Sequence, residues 1–593
     1  MIKRELENWN ETEELDGLLF LALTIDEMTS IFTIDSYRAP VFNSHSLCEE
    51  FFIVNFEVNE GFLHERSIKP IIEELVWSLN EDPVAQSILD FRFDQIVHEL
   101  EIVEKSEKYS KSESLISSIK TLLDQKYFDE TRKQIIATIK NPKDKEKISR
   151  LAKILISELI FCGYSREYIR QELMYHFFQN QQITAIDQIV PFLDEFSFKP
   201  GKWEVIFRGN QHFAHLKNLK MNIDLTITDE KLTFRTMYPQ ERKFYESSEE
   251  LEKYPIYIQF KQMEALDPYH ARQICEQFLE SFNNLGAYSI HKENLNWHSQ
   301  AIVYSHEYTF FKITDQFSPI ENIKDSHISA LTPNILNILP IIQSSNPQFN
   351  YYTHNSLSLH SIALQSKNPE NQLMNLWTAL ETLVPPPTHE NIRIVHFLNS
   401  FSPFLGREYV QKLIGELLNE LKHELGQDLN SVFSKLSDDL SEFEKCAAIV
   451  AIKDNKPLRE ELYKKLGRNL LIKHKIFTLM INLNRSDNIL NLINLHNKRI
   501  EWHLQCIYRS RNLIVHKGNK LGYINQLVEN IHLYYHTTID QIQKLKSKNE
   551  NIESLDTIFN FVKIEHQSHL DRLKKLKETQ CDSKNFRELL FCD

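Results

Sequence analysis

Glycine is what this chain most lacks, with only 12 among 593 residues. Turn-rich β architectures rely on glycine wherever the backbone must adopt a positive φ, so a chain this poor in it is pushed towards helix. Leucine, isoleucine, lysine, glutamate and asparagine recur instead at the three- and four-residue steps of helices. At this length one hydrophobic core does not suffice, because cores stop growing near ~250–300 residues, and several domains are expected. The composition, 42% hydrophobic and 25% charged, is that of a globular protein, with no block polar enough to require disorder.

The patterning divides the chain into four regions. Residues 1–200 read as mixed but mostly helical. Phe51–Val58 alternates like a strand; Ile71, Leu75, Leu79, Ile88, Phe91, Ile96 and Leu100 then take up helical steps. The charged stretch Glu104–Glu113 joins two helices, and others cover Leu151–Phe161 and Tyr168–Phe178. Residues 201–345 change character. Trp203–Arg208, Asn222–Thr228, Lys231–Thr236, Ile256–Phe260, Tyr288–His291 and Ala301–Thr309 read as strands, around one helix that Asp267-Pro268 opens and that ends near Phe282. This predicts a small α+β domain with a mainly antiparallel sheet.

Beyond a loop near Ser344–Asn350, residues 346–545 are helical throughout. The spacing predicts helices over Leu373–Leu383, Val395–Leu405, Tyr409–Leu425, Val432–Ile452, Leu458–Leu483, Ile489–Val515 and Ile524–Leu545. Residues 546–593 form a helical extension carrying Ile552–Leu576. The expected fold class is mainly α with an α+β middle region.

The N-terminus is charged, and the best apolar run, Gly17–Ile25, is far short of the ~20 residues that cross a bilayer. A cytoplasmic protein with no membrane partner is expected. Seven scattered cysteines without a Cys-x-x-Cys pair indicate neither a disulfide framework nor a cysteine-based zinc site. A formal net charge of −14 argues against nucleic-acid binding until its distribution is considered. Between Glu461 and Lys520, twelve lysines and arginines face three acids, a local charge of +9 inside an acidic protein. A solvated helical face is the usual meaning of such a run. The motif inside it gives it another.

That motif reads Tyr508-Arg509-Ser510-Arg511-Asn512-Leu513-Ile514-Val515-His516-Lys517-Gly518. Its Arg-x4-His spacing proves little alone, since about one such match arises by chance in a chain of this composition. Arg468-Asn469-Leu470-Leu471-Ile472-Lys473-His474 nearly repeats it. The later copy is favoured because Gly518 is a helix stop, which places His516 in the final turn, exposed and at the negative end of the helix dipole. His474 lies inside a continuing apolar pattern and reads as structural. On an ideal helix Arg509, Asn512 and His516 share one face, whereas Arg511 lies ~140° away from His516. His532 and His536 also share a helix face, but no third ligand is evident in the sequence, so no metal is expected.

The Arg-Asn-x-x-x-His segment resembles the signature of HEPN ribonucleases, and Asn375-Leu376-Trp377-Thr378-Ala379-Leu380-Glu381-Thr382-Leu383 resembles the opening helix of ApeA-like HEPN domains. The resemblance covers about residues 350–545. It implies a C-terminal HEPN-like helical bundle and a homodimer whose two motifs face one cleft. It also implies a role in bacterial defence against phage, the N-terminal two-thirds sensing a phage-derived trigger or restraining the nuclease. The implied activity is endoribonucleolytic, with no metal and no cofactor, because RNA brings its own 2′-hydroxyl nucleophile. His516 would act as general acid or base and Arg511 would stabilise the scissile phosphate. Asn512 would position His516 or the phosphate, and Arg509, Lys517 and Arg499 would add RNA-binding charge. The RNA is not specified; tRNA anticodon loops, with their splayed bases, are candidates. The competing reading is a non-catalytic HEPN-like module for dimerisation, RNA binding or protein interaction.

Overall fold

In the computed structural model the described residues are 6–30, 40–106, 109, 112–179, 182–217, 223–230, 252–305, 311–313, 319–320, 329, 331–387, 393–518, 521–549 and 552–592. The chain is mostly helical, with one small antiparallel sheet in its middle region. It forms two compact units. One comprises Met1–Glu158, Gln182–Gln188 and Ser318–Asp593, the other Leu159–Gln181 and Ile189–Phe317. The sequence suggests consecutive segments, but the first unit joins the N-terminal helices to those that follow the sheet.

The first unit opens with α1 (Asp16–Thr29), buried along nearly its whole length. It is followed by α2 (Ser44–Asn59), α3 (Lys69–Glu81), α4 (Pro83–Leu89), α5 (Phe93–Ser106), α6 (Ser112–Asp124), α7 (Tyr127–Thr138) and α8 (Lys145–Phe161). The strand expected at Phe51–Val58 is part of α2. Asn43 and Ser46 form a capping box, each side chain accepting the other's backbone N–H at 2.8 Å. Leu47, Phe51 and Val54 then fall on one buried face, while Ile53 and Phe56 are left exposed. The apparent alternation is a helix with apolar residues on both sides.

The second unit contains α9 (Arg166–Met174), α10 (Ile189–Asp194) and the sheet. Its strands are β1 (Gly201–Gly209), β2 (Leu225–Thr228) and β3 (Ile256–Ala265), then, after α11 (Pro268–Ala287), β4 (Ala301–Tyr304) and β5 (Phe311–Ile313). Their spatial order is β2-β3-β1-β4-β5, every pairing antiparallel. Asp267 caps α11 as expected, its Oδ1 accepting the His270 N–H at 2.8 Å. Ala271, Cys275, Leu279 and Phe282 pack that helix onto Val205, Phe207, Ile258 and Phe260. Tyr288–His291 is a turn and not a strand, because α11 runs past Phe282 and leaves Tyr288 and Ile290 exposed, with no sheet face to bury. The segment Lys231–Thr236 and much of Ala301–Thr309 lie outside the described residues.

The first unit resumes with α12 (Leu331–Ile342), α13 (Pro347–Gln365), α14 (Pro369–Leu383), α15 (Arg393–Arg407) and α16 (Tyr409–Leu425). Next come α17 (Asp428–Phe433), α18 (Glu442–Ala451), α19 (Lys456–Lys465) and α20 (Leu470–Leu483). The chain ends with α21 (Ser486–Lys517), α22 (Ile524–Lys548), α23 (Leu555–Lys575) and α24 (Phe586–Leu590). Two expected helices are each split in two. Ser441 forms a capping box with Glu444 and restarts the chain as α18, and Gly467, at φ +51°, separates α19 from α20. Helices α16 to α20, the start of α21 and α24 enclose one apolar core. Around α21 pack α14, α15 and α23, with α13 and α22 closing over α14. Trp377 stacks on Phe397, ring centroids 4.2 Å apart, and with Leu380 and Leu383 is buried in this second layer. No helix among the described residues is long and apolar enough to cross a membrane.

Candidate active site

Helix α21 stops where the sequence says it should. Gly518 takes φ +64° and its N–H closes back on the Ile514 carbonyl at 3.0 Å, a left-handed cap that a side chain would strain. This leaves His516 exposed in the last turn, its ring centroid 6.5 Å from that of Phe62. Five residues earlier on the same helix, Arg511 is half-buried. Its Nη1 donates to Asn512 Oδ1 at 3.0 Å, and Nε is buried without a hydrogen-bond partner. Among the described residues no carboxylate pairs with Arg511. Asn512, expected to position His516 or the phosphate, holds the arginine.

Arg509 behaves differently. It is 1% exposed, and Nε and Nη2 both donate to Glu50 Oε1, at 3.4 and 3.3 Å. Tyr523 Oη donates to Glu50 Oε2 at 3.0 Å. Burial pushes the Glu50 carboxyl up, and the guanidinium and the tyrosine pull it back. The expectation that Arg509 adds RNA-binding charge is therefore corrected: it is an internal counter-ion with no surface to offer. Lys517, in the last turn of α21, reaches Glu57 at 2.9 Å and lies over the rings of Phe56 and Phe62. Arg499 is exposed, with its guanidinium 4.7 Å from the centre of Trp77.

The rest of the basic stretch follows Arg509 more than Arg511. Arg468 pairs with Asp16 at 3.1 Å, Lys475 with Glu27 at 3.2 Å and with Glu420, and Lys498 with Glu73. Much of the local positive charge thus answers acids on the N-terminal helices α1, α2 and α3. The near-repeat of the motif is absorbed in the same way. His474 meets the edge of Phe20, ring centroids 5.0 Å apart, and burial lowers its imidazole to about 4. Glu381, on the Trp377 helix, pairs with Arg393 at 3.3 Å.

Sequence reasoning missed the acids that neutralise the motif helix: Glu50 lies 459 positions from Arg509, and no spacing rule spans that distance. It also missed a third histidine. His532 and His536 stand one turn apart on α22, and His360 of α13 joins them, with its Nε2 3.1 Å from that of His532. Burial, reinforced by the neighbouring His536, pushes the His360 and His532 imidazoles down to about 4 and about 3. A cavity of about 380 Å³ between α15, α16, α21 and α22 is lined by Glu408, Tyr409, His496 and Asp540, and includes neither Arg511 nor His516.

Compared with known proteins, the chain matches no family model, no curated protein and no solved structure.

Proposed function

We propose that the chain is a metal-independent endoribonuclease of the HEPN type, with Arg511 and His516 at its centre. One observation carries the reading. In a stretch whose cations are largely taken up by carboxylates, Arg511 has no carboxylate partner among the described residues and lies on the same helix as an exposed imidazole five residues on. A half-buried guanidinium without a counter-ion favours an anion, and the scissile phosphate of RNA supplies one. The 2′-hydroxyl attacks phosphorus and gives its proton to a base, and the 5′-oxygen leaves with a proton from an acid. His516 serves one of these steps and Arg511 steadies the charge on the non-bridging oxygens. The products are a 2′,3′-cyclic phosphate and a 5′-hydroxyl.

The resemblance to HEPN ribonucleases implies a second copy of the chain whose motif faces the same cleft, and a homodimer is part of the proposal. The biological setting that goes with it is a cytoplasmic defence effector, restrained until a phage-derived trigger arrives. A second reading, a non-catalytic interaction module, draws on the carboxylates that α2 and α3 set against α21.

The test is cleavage of total cellular RNA in EDTA by purified protein, alone and with lysate from phage-infected cells. Arg511→Ala and His516→Ala should each lower the rate by about 10²-fold or more, the range for losing a phosphate donor or a general acid–base. Lys464→Ala, at an exposed lysine outside the motif, should cut at the wild-type rate. Undiminished cleavage by folded His516→Ala sinks the site. Folded wild type that cuts under neither condition leaves the interaction module.

A further inference from the structure

We propose that His360, His532 and His536 bind one divalent transition-metal ion of the zinc class, tying α13 to α22. Each residue offers a ring nitrogen, and these three nitrogens all lie within 4.8 Å of one another. With Zn–N bonds of ~2.0–2.1 Å, two imidazoles on a tetrahedral ion hold their nitrogens about 3.3 Å apart. His360 Nε2 and His532 Nε2 are already at 3.1 Å. An ion between them replaces a single shared proton, and His536 offers its ring nitrogen within 4.8 Å of both as the third ligand.

The surroundings fit ligation better than an incidental pair. A shared proton satisfies only His360 and His532, whereas an ion also engages the third ring, which the one-turn spacing on α22 places 4.4 Å from His532 and which lies 5.2 Å from His360, centroid to centroid. The His360 ring is held flat against Tyr535, 4.6 Å between centroids and 10° between planes. Ser356 Oγ lies 3.3 Å from the Tyr535 hydroxyl and donates to the Ala379 carbonyl at 2.8 Å, so α14 also fixes the ligand's orientation. His532 is 4% exposed, which shields the inner ligand, while His536 is exposed and leaves the remaining coordination position open to water. Three imidazoles without a thiolate suit zinc, cobalt or nickel over magnesium or calcium.

Metal content decides the matter apart from any RNA cleavage. Untagged full-length protein is stripped with a chelator, dialysed against Zn²⁺, freed of excess and analysed by elemental mass spectrometry. One zinc per chain is expected, with a higher melting temperature than the stripped protein. His536→Ala removes an exposed side chain, so it should keep the wild-type circular dichroism and elution volume while losing the zinc. His360→Ala should lose it as well. Wild type that retains no more zinc than His536→Ala overturns the proposal.

Discussion

Arg509 and Arg511 are two positions apart on one helix, yet their side chains are in opposite electrostatic situations. Arg509 is enclosed with Glu50 and Tyr523, so removing it strands a carboxylate in the interior. Breaking a buried pair from one side costs about 3–5 kcal/mol, whereas replacing both partners with apolar groups is often neutral. Arg509→Met should therefore lower the unfolding free energy by about that amount in a urea titration, and adding Glu50→Met should restore most of it. Arg511→Ala breaks no ion pair and leaves Asn512 with one fewer donor, a cost of about 1 kcal/mol. Equal losses at the two positions would mean that Arg511 too is a structural counter-ion, and the phosphate-binding role would go with it.

Helix α2 is fixed at both ends: through Glu50 and Glu57 to α21, and through His45 to α6 and α8. His45 Nδ1 bonds Glu158 at 2.9 Å and Nε2 bonds Asp124 at 2.7 Å. Burial works against the charged imidazole, but the two carboxylates outweigh it and raise His45 to about 8. A folded value above the unfolded 6.5 means that the folded chain holds the proton more tightly. The resulting stability is full below pH 6.5 and is lost as pH rises through about 8. At ~1.4 kcal/mol per pH unit this amounts to about 2 kcal/mol. His45→Gln should thus destabilise strongly at pH 6 and much less at pH 9 in thermal melts; a pH-independent loss would assign His45 a packing role alone. The same helix shows what the sequence hides. Periodicity locates most helices, and Gly518 ends α21 as its position predicts. Phe51–Val58 looks like a strand because α2 carries apolar residues on two sides, and the splits at Ser441 and Gly467 are local caps within apolar runs. At the candidate site Arg511, Asn512 and His516 are legible because they are neighbours. Glu50 and His360 are not, since only the tertiary fold brings them within reach.

For the molecule as a whole, the decisive question is whether the N-terminal helices are a detachable regulator of the C-terminal ones. They share one compact unit with them. Helix α1 is buried at nearly every position and meets α20, with Phe20 against His474, and α3 reaches α21 through Trp77 on Trp502 and Glu73 on Lys498. Cutting the chain at residue 346, where the sequence suggests a boundary, would expose these apolar faces to water, leave Arg509 without Glu50 and leave Lys475 with Glu420 but without Glu27. A stranded buried charge such as that of Arg509 costs several kcal/mol, comparable to the whole stability of a domain. The fragment 346–593 should therefore aggregate, or unfold without a cooperative transition, when measured by light scattering and circular dichroism. If it instead melts cooperatively and cleaves RNA without a trigger, the N-terminal helices are a removable restraint. Regulation would then mean their physical departure from α21, and not a rearrangement within a joint core.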